Sequence, residues 1–299
     1  MGSLDTITIP WSGVGGARRC LIWKPTGWNK RRSWPALFAL HGGAAAAESI
    51  RNQSRLDTVA DANGFVVIYP DGYARLFGSP LRTWGAGSCC GNAITDGSDD
   101  VAYMRALVKR LTPGYELDPA RLYATGFSNG AMLAHRLGAQ ASDLFAAIAP
   151  VSGDLWNLGL PAPANPTPTI YFQGELDTHI PIEGGVGPDA IDGVAHQPAV
   201  DVVDWWIAAN HATTPAVTTT GTGYTVKTYG GAAPVIFYDL ANGAHQWPGG
   251  VAVSGLGPIQ ANVDASNLIW NFVKQFRRVK TLPTSPIVRG SAIEPGTRI

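Results

Sequence analysis

A serine framed by glycines is the residue of this chain whose setting most clearly predicts chemistry. Ser128 is the middle residue of GFSNG at 126–130, which follows the apolar segment RLYAT and precedes AMLAHRLGAQ, a segment of helical composition. Small residues around a nucleophile let a strand and a helix meet at a sharp turn, and that turn lifts the hydroxyl clear of the sheet. The positive end of the following helix favours negative charge there. We therefore predict that Ser128 is a nucleophile.

A carboxylate must orient the base that activates such a serine. A hydroxyl is a poor nucleophile unless a neutral imidazole takes its proton and a carboxylate holds that imidazole in place. Asp177 follows the apolar segment TIYFQG, at the carboxyl end of a predicted strand, where such sites form in parallel sheets. Asp177 is the predicted acid, and Glu175 is its local alternative.

The predicted base is a histidine near the end of the chain. His245 lies in NGAHQWP at 242–248, after the last predicted strand and before the last predicted helix. The order serine, acid, histidine is that of α/β-hydrolases, so His245 is expected to complete a triad. For the remaining candidates we expect surface or structural roles, although the first is close enough to the acid to contact substrate: His179, His196 and His211.

Backbone N–H groups must also face the carbonyl oxygen as it gains charge. One is expected from Asn129, which follows the nucleophile. The second is expected from Gly43, in the HGG that follows the apolar segment PALFAL. Asn129 and Gly43 are therefore the predicted oxyanion hole.

The segments around these residues alternate between strands and helices. Apolar runs bounded by glycine or proline predict strands at 19–24, 36–40, 65–69, 122–125, 146–149, 169–172 and 235–239. Helical periodicity predicts helices from a cap at Asp99 or Asp100, over 200–210 and over 265–276. This alternation is typical of an α/β fold with a mostly parallel sheet covered on both faces.

The composition excludes several classes of function. Lysine plus arginine and aspartate plus glutamate number 22 each, so the net charge is zero, and charged residues make up 15% of the chain. A nucleic-acid-binding protein needs clustered positive charge, so this class is not expected. No apolar run approaches the roughly 18 residues of a membrane span. The three cysteines and six histidines show no metal-ligand spacing, so we predict no metal and no cofactor.

Several motifs of the chain resemble those of polyhydroxybutyrate depolymerase-like esterases, an α/β-hydrolase group that also holds feruloyl and acetylxylan esterases. They are LHGG at 40–43, YPDG at 69–72, TWGAGSCCG at 83–91, DDVAYM at 99–104, GFSNGAM at 126–132 and GAHQWPGG at 243–250. The resemblance covers residues 18–276 and implies the same triad. It also implies that Trp84 and Trp247 line the substrate cleft, one on each side of the nucleophile.

The chain departs from this group in its cysteines. Members often carry a further cysteine pair, whose places here are Ala212 and about Gly231. The adjacent Cys89 and Cys90 leave three alternatives open: a disulfide between them, two thiols, or a bond from one of them to Cys20.

The substrate class is open between two pictures. Tryptophans and the aromatic segment 73–77 would form an apolar groove for a polyester or an aromatic acid. Arg75 and Arg82 could instead bind carboxylates, which suits poly(aspartic acid), whose hydrolases resemble this group. The expected partner is thus a polymeric or oligomeric ester or amide, without nucleic acid or membrane. The function predicted is a serine hydrolase of the depolymerase or esterase type, with a serine amidase and a non-catalytic binding module as alternatives.

The organisation of the chain predicts one catalytic domain over residues 1–280. Residues 281–299 are rich in proline, glycine and serine, and read as a loose tail whose sequence is also compatible with a vector origin. The N-terminal segment lacks the charged and apolar regions of a secretory signal, and Met1-Gly2-Ser3 resembles a short leader. With a signal removed, we expect an extracellular or periplasmic location.

Overall fold

The computed structural model describes residues 1–191 and 193–278. Its strands are β1 (Ser3–Ile9), β2 (Arg18–Lys24), β3 (Trp34–Leu40), β4 (Val66–Pro70), β5 (Leu117–Phe127), β6 (Ala147–Val151), β7 (Thr169–Gly174), β8 (Val217–Gly221), β9 (Tyr224–Tyr229) and β10 (Val235–Leu240). Its helices are α1 (Ala47–Ser54), α2 (Leu56–Asn63), α3 (Gly91–Thr95), α4 (Asp100–Gly114), α5 (Asn129–Gln140), α6 (Ala199–Asn210) and α7 (Ala265–Val273). The predicted boundary at residue 280 and the predicted tail lie outside the described residues.

The strands form one sheet in the order β1-β2-β4-β3-β5-β6-β7-β10-β9-β8. Its middle, from β4 to β10, is parallel, and antiparallel strands extend it at both ends. Strands β3, β4, β6 and β7 are buried along their whole lengths, so their sequences are continuous apolar runs. Helices α1, α2 and α7 pack on one face, and α4, α5 and α6 on the other. The predicted α/β class is confirmed.

The predicted strands are all present, and the structure adds three that the sequence did not indicate. The additional strands are β1, β8 and β9, which lie towards the two edges of the sheet. Strand β8 reads VTTTG and is almost wholly exposed, so it shows no alternation of buried and exposed residues that could be recognised. Helix α4 begins as predicted, because the Asp99 carboxylate accepts a hydrogen bond from the Ala102 N–H. No helix among the described residues is long and apolar enough to cross a bilayer.

The cysteines resolve the alternatives that the sequence left open. Cys89 and Cys90 form a disulfide with each other, and Cys20 is a free thiol buried in the core. Ala212 and Gly231 are close neighbours, since a Cβ built on Gly231 would lie 3.7 Å from the Ala212 Cα. The two positions that the resemblance assigned to a missing disulfide are therefore adjacent in the fold.

The carboxyl ends of the parallel strands meet at one edge of the sheet. The segments that follow β3, β5, β7 and β10 carry Gly43, Ser128, Asp177 and His245 respectively. This edge is where α/β folds form their sites, because loops from neighbouring strands converge there.

Candidate active site

Ser128 lies on a sharp turn between strand β5 and helix α5. Its backbone has φ 56° and ψ −126°, a conformation that is strained for a residue with a side chain. Its N–H donates to the Val151 carbonyl at 3.0 Å, which ties the turn to β6. Side chains at Gly126 or Gly130 would collide with the backbone of Gly130 or Leu40, respectively. The glycines of the motif are therefore required by the close approach of the helix to the sheet.

A chain of hydrogen bonds links the serine to an imidazole and a carboxylate. The Ser128 Oγ lies 2.9 Å from His245 Nε2, and His245 Nδ1 lies 2.7 Å from Asp177 Oδ2. His245 and Asp177 are 3% and 4% exposed, so the bond between these two residues is shielded from water. The structure thus brings together the three residues that the sequence predicted as a triad.

The predicted acid is held by several donors besides the histidine. Asp177 Oδ1 accepts hydrogen bonds from the backbone N–H groups of His179 and Ile180, at 2.9 and 2.8 Å. Its Oδ2 also accepts from the Gln173 amide at 3.2 Å. These bonds fix the orientation of the carboxylate. Each oxygen therefore already has two hydrogen-bond partners.

The alternative acid, Glu175, is not the carboxylate that bonds to the imidazole, since His245 Nδ1 is bonded to Asp177. It is exposed and pairs with Asp239 at the end of β10. Burial, followed by the nearby Glu175 carboxylate, raises the pKa of Asp239 to about 6. Glu175 therefore belongs to a separate pair of carboxyl groups.

His179 stacks on the histidine of the triad. The two rings lie 4.6 Å apart with an interplanar angle of 13°, and His179 is half-buried at the pocket that holds Ser128. Burial and the neighbouring His245 lower the pKa of His179, which favours its neutral form. One ligand-capable atom each of Asp177, His179 and His245 lie within 4.8 Å of one another, but two of these residues are engaged in the triad.

The predicted oxyanion donors lie beside the serine. Gly43 and Asn129 both line the pocket around Ser128. Asn129 is the first residue of α5, so its N–H has no acceptor within the helix, and such N–H groups can bind negative charge. Gly43 leaves space next to Asn129, since a Cβ built on it would lie 3.7 Å from the Asn129 Cβ.

Trp84 is not in the cleft, contrary to the expectation from the resemblance. Its side chain is fully buried, and its indole N–H donates to the His41 carbonyl at 2.9 Å. The Asn129 carboxamide holds its backbone from both sides, accepting from the Trp84 N–H at 2.7 Å and donating to the Trp84 carbonyl at 3.1 Å. Trp84 therefore connects His41, in the loop after β3, to Asn129, the first residue of α5. It joins the two segments that carry the oxyanion donors.

His41 is a functional neighbour that the sequence did not single out. Its Nε2 accepts from the Gly72 N–H at 2.9 Å, and its Nδ1 lies 2.7 Å from the Gly42 carbonyl. This arrangement fits a neutral ring protonated on Nδ1. Burial lowers the pKa of His41 to about 4, and its ring packs on Trp84 at 4.9 Å. The feature of the sequence that could have indicated this role is the histidine of the LHGG motif at 40–43.

Trp247 and Arg82 are also placed differently from the prediction. Trp247 is fully buried on the α7 side of the sheet, where its indole N–H donates to the Ser266 hydroxyl at 3.0 Å. Arg82 is 4% exposed, and its Nε lies 3.3 Å from Asp71. Neither side chain borders the pockets around Ser128. Both side chains interact with residues far away in the sequence, Ser266 and Asp71, which the local sequence does not indicate.

The pocket around Ser128 has two lobes. The large lobe has a volume of about 440 Å³ and the small lobe about 140 Å³. Both are bordered by Gly43, Ala44, Ser128, His179 and Ile191. The large lobe adds Gly42, Ala45, Ser49, Ile50, Asn52, Gln53, Phe127, His245, Val251, Val253 and Leu256. The small lobe adds Thr83, Cys89, Cys90, Gly91, Asn129, Ile180, Ala190 and His196.

Neither set of described lining residues contains Asp, Glu, Lys or Arg. A site without a charged side chain offers nothing to offset the cost of desolvating a charged substrate. The other arginine of the polyanion picture, Arg75, is bound to Asp96 through two hydrogen bonds of 2.7 and 2.8 Å. The described lining therefore offers no lysine or arginine to a negatively charged substrate.

Comparison with known proteins relates part of the chain to a family. Residues 20–160, a little under half of the chain, match the family described as Esterase PHB depolymerase. The chain is similar to this family over that part. The matched part contains Ser128 and both predicted oxyanion donors, whereas Asp177 and His245 lie beyond it.

Esterases are also found among its relatives and structural neighbours. The chain is 30% identical to the putative esterase NocK of Nocardia uniformis subsp. tsuyamanensis, over 72% of this chain and 66% of that protein. It is 31% identical to feruloyl esterase B of Piromyces equi, over 56% of this chain and 31% of that protein. The chain thus spans at most about two thirds of the length of these relatives. An acetyl xylan esterase from Aspergillus awamori superposes with a TM-score of 0.63 at 17% identity, covering 91% of this chain and 99% of that one. This likeness shows the shared fold, and the α/β-hydrolase class is confirmed.

Proposed function

We propose that this protein is a serine hydrolase that cleaves carboxylic esters through an acyl-enzyme, with Ser128, His245 and Asp177 as its triad. The observation that carries the proposal is the unbroken hydrogen-bond chain of 2.9 and 2.7 Å that ends at a serine on the pocket wall. The similarity of residues 20–160 to the esterase family supports the reaction type.

The first half of the reaction forms the acyl-enzyme. Ser128 Oγ attacks the ester carbon while its proton passes to His245 Nε2, and the carbonyl oxygen becomes an oxyanion facing the N–H groups of Gly43 and Asn129. The Asp177 carboxylate stabilises the imidazolium that forms. The intermediate then collapses, the bond between carbon and alcohol oxygen breaks, and His245 returns the proton to the departing alcohol.

The second half regenerates the enzyme. Water gives a proton to His245 and its oxygen adds to the acyl carbon, and collapse of this second intermediate releases the carboxylic acid and returns the proton to Ser128. The neutral form of His245 is required at the start of both halves.

The neutral lining of the pocket favours an ester over poly(aspartic acid). The arginines on which the polyanion alternative depended are bound to Asp71 and Asp96. The names of relatives suggest a polyester or a plant-wall ester, since they include a poly(3-hydroxyalkanoate) depolymerase of Paucimonas lemoignei, 27% identical over 40% of this chain, besides the feruloyl esterases.

The test is hydrolysis of p-nitrophenyl butyrate, 3-hydroxybutyrate oligomer, methyl ferulate and poly(aspartate) by the wild type and by Ser128→Ala. We expect ester cleavage by the wild type and a loss on the order of 10⁶ in kcat for the variant, because the nucleophile is absent. Ser79→Ala, on an exposed loop, is the matched control and should retain full activity. Equal activity of Ser128→Ala and the wild type would refute the assignment, and absence of any hydrolysis would favour the binding module.

A further inference from the structure

The imidazole of His245 is in contact with two other aromatic rings. Its ring centroid lies 4.6 Å from that of His179, at an interplanar angle of 13°, and 4.7 Å from that of Phe127, at 43°. At 4.6 Å, two nearly parallel rings lie face to face with an offset, an arrangement that aromatic pairs prefer. Phe127 directly precedes Ser128 in the chain, and His179 comes shortly after Asp177. The segments that carry the nucleophile and the acid thus each place a ring against the base.

One carboxylate fixes both members of the stacked pair of histidines. Asp177 Oδ2 lies 2.7 Å from Nδ1 of His245, while Asp177 Oδ1 accepts a hydrogen bond from the backbone N–H of His179 at 2.9 Å. The Ile180 N–H donates to the same Oδ1 at 2.8 Å. Because the imidazole of one histidine and the backbone of the other are bonded to a single buried side chain, the triad itself sets their relative position.

A second segment, residues 187–189, packs against the backbone that carries His179. The Asp189 N–H donates to the Thr178 carbonyl at 3.1 Å. A Cβ built on Gly187 would lie 2.3 Å from the Thr178 carbonyl oxygen and 2.5 Å from that of His179, so this close approach requires glycine. The His179 side chain therefore extends from a firmly held backbone, although the residue itself is half-buried at the pocket.

The environment of His179 favours its neutral form. Its Nδ1 is buried and has no hydrogen-bond partner among the described residues. A protonated ring would place an N–H on that atom without an acceptor, which costs free energy. Burial, followed by the neighbouring His245, lowers the pKa of His179, and the nearby carboxylates of Asp177 and Asp189 act in the opposite direction. The ring that His179 stacks on His245 is therefore an uncharged aromatic ring.

An uncharged ring in this position assists the proton transfer. When Ser128 gives up its proton, His245 becomes a cation, and the face of an aromatic ring attracts a cation that lies within about 6 Å. This attraction is absent while His245 is neutral, so it lowers the barrier without strengthening the binding of the ester. Contacts of this kind change an equilibrium by about 3- to 30-fold.

From this geometry we infer that His179 is a positioning residue. Its ring holds the imidazole of His245 in line with Ser128 and stabilises the imidazolium that forms in both halves of the reaction. The inference rests on the proposed function and goes beyond it, because the proposed mechanism uses only the triad and the oxyanion donors. It also differs from the substrate contact that the sequence suggested for His179.

Substitutions that keep or remove the ring of His179 test this role. His179→Leu retains a side chain of similar size without a ring, and should lower kcat on p-nitrophenyl butyrate about tenfold while KM stays within about twofold. His179→Phe keeps an aromatic ring and should stay within about threefold of the wild type in both constants. Thr178→Ala, at the exposed neighbouring position, is the matched control and should agree with the wild type within about twofold.

The pH profile of kcat/KM separates positioning from a loss of stability. Its acid limb reports protonation of the base in the free enzyme. Without the stacked ring the imidazolium is less stable, so the base takes up its proton at lower pH. The acid limb of His179→Leu should therefore shift to lower pH by about 0.5 to 1 pH unit, and that of His179→Phe by less than about 0.3. A variant that is merely less well folded would lose activity without moving the limb.

The outcomes distinguish this inference from the proposed function. If ester hydrolysis survives Ser128→Ala, the proposed function fails and the inference fails with it. If hydrolysis requires Ser128 but His179→Leu equals the wild type in kcat and in its acid limb, or raises KM alone, only the inference is overturned. The same holds if His179→Phe loses as much activity as His179→Leu. Should circular dichroism show that His179→Leu does not fold, His179→Gln, which is polar and also lacks the ring, takes its place with the same expected values.

Discussion

The two sides of the pocket are built differently. The small-lobe wall, residues 83–91, contains a disulfide and the fully buried Trp84. The Asn129 side chain holds this wall to the turn at Ser128. The large-lobe wall, residues 250–257, exposes Val251 and Val253. The Val251 N–H donates to the Gln53 carbonyl at 2.9 Å, and one side chain makes three further hydrogen bonds to this wall. That side chain is Gln246, whose amide oxygen accepts from the Val253 N–H at 3.0 Å and whose amide nitrogen donates to the carbonyls of Val253 and Gly257 at 2.7 and 3.0 Å.

This difference follows from what each wall borders. Oxyanion stabilisation needs donors fixed within a fraction of an ångström, so the wall attached to Asn129 benefits from burial and from the hydrogen bonds of the Asn129 side chain. A wall that only contacts the substrate needs apolar surface and can be less firmly attached. Changes at buried machinery should therefore alter kcat, whereas changes at the exposed wall should alter KM.

The largest effect is expected at the carboxylate of the triad. Asp177→Asn should lower kcat by about 10⁴, because the amide cannot hold His245 in the tautomer that accepts the serine proton. Steady-state kinetics on p-nitrophenyl butyrate measures this loss, with circular dichroism to verify the fold. Glu175→Gln is the matched control, since Glu175 is exposed and pairs with Asp239, and it should stay within about threefold of the wild type. Comparable losses in the two variants would contradict the assignment of the acid.

Lowering the pH should decrease the free energy of unfolding through two buried histidines, His41 and His135. Burial lowers the pKa of His41 to about 4 and that of His135 to about 3. Between these values and about 6.5, the unfolded chain binds protons that the folded chain does not, so stability falls as pH falls. From pH 7 to pH 5 each histidine should cost about 2 kcal/mol of unfolding free energy.

Urea unfolding at pH 7, 6 and 5 measures this slope. In His135→Gln, which keeps an acceptor for the Trp206 indole N–H, the loss from pH 7 to pH 5 should be smaller by about 2 kcal/mol. An unchanged slope would show that His135 does not titrate as proposed.

Two buried indole donors provide the next comparison. Trp84→Phe removes the hydrogen bond to His41 and keeps most of the ring, so kcat should fall by about 10 to 10², with little change in KM, as the oxyanion donors lose alignment. Trp247→Phe removes an equally buried indole donor, to Ser266, in the core on the other face of the sheet from Trp84. It should lower the melting temperature but leave kcat within about threefold of the wild type. An equal decrease of kcat in both variants would show that lost stability, and not positioning, explains the effect.

The smallest effect on kinetics is expected at the large-lobe wall. Val253→Ala removes apolar surface that is already 41% exposed. It should change kcat less than about threefold and raise KM for a naphthyl ester more than for a phenyl ester, since uniform binding energy is lost. A decrease of kcat as large as that of Trp84→Phe would remove the distinction between the walls.

The sequence indicated those features that short segments determine. The turn at Ser128 follows from its own glycines, and the order of elements follows from apolar runs such as PALFAL. Trp84 could not be placed in the same way. Whether an indole faces a cleft or the core depends on the His41 carbonyl and the Asn129 side chain, which come from other elements of the chain. Arg82 presented the same difficulty, because Asp71 pairs with it only in the folded protein.

The way in which Gln246 holds the large-lobe wall affects where related proteins can accept insertions. Gln246 is 2% exposed and adjacent to His245, and it binds Val253 and Gly257 at the two ends of a short loop tip. At the tip, Gly255 is exposed and has open space around its Cα. An insertion there would lengthen the loop without moving the histidine, since the anchoring bonds lie on either side of it. New loops, and with them new substrates, can therefore arise by insertion at this point while the inherited chemistry is kept.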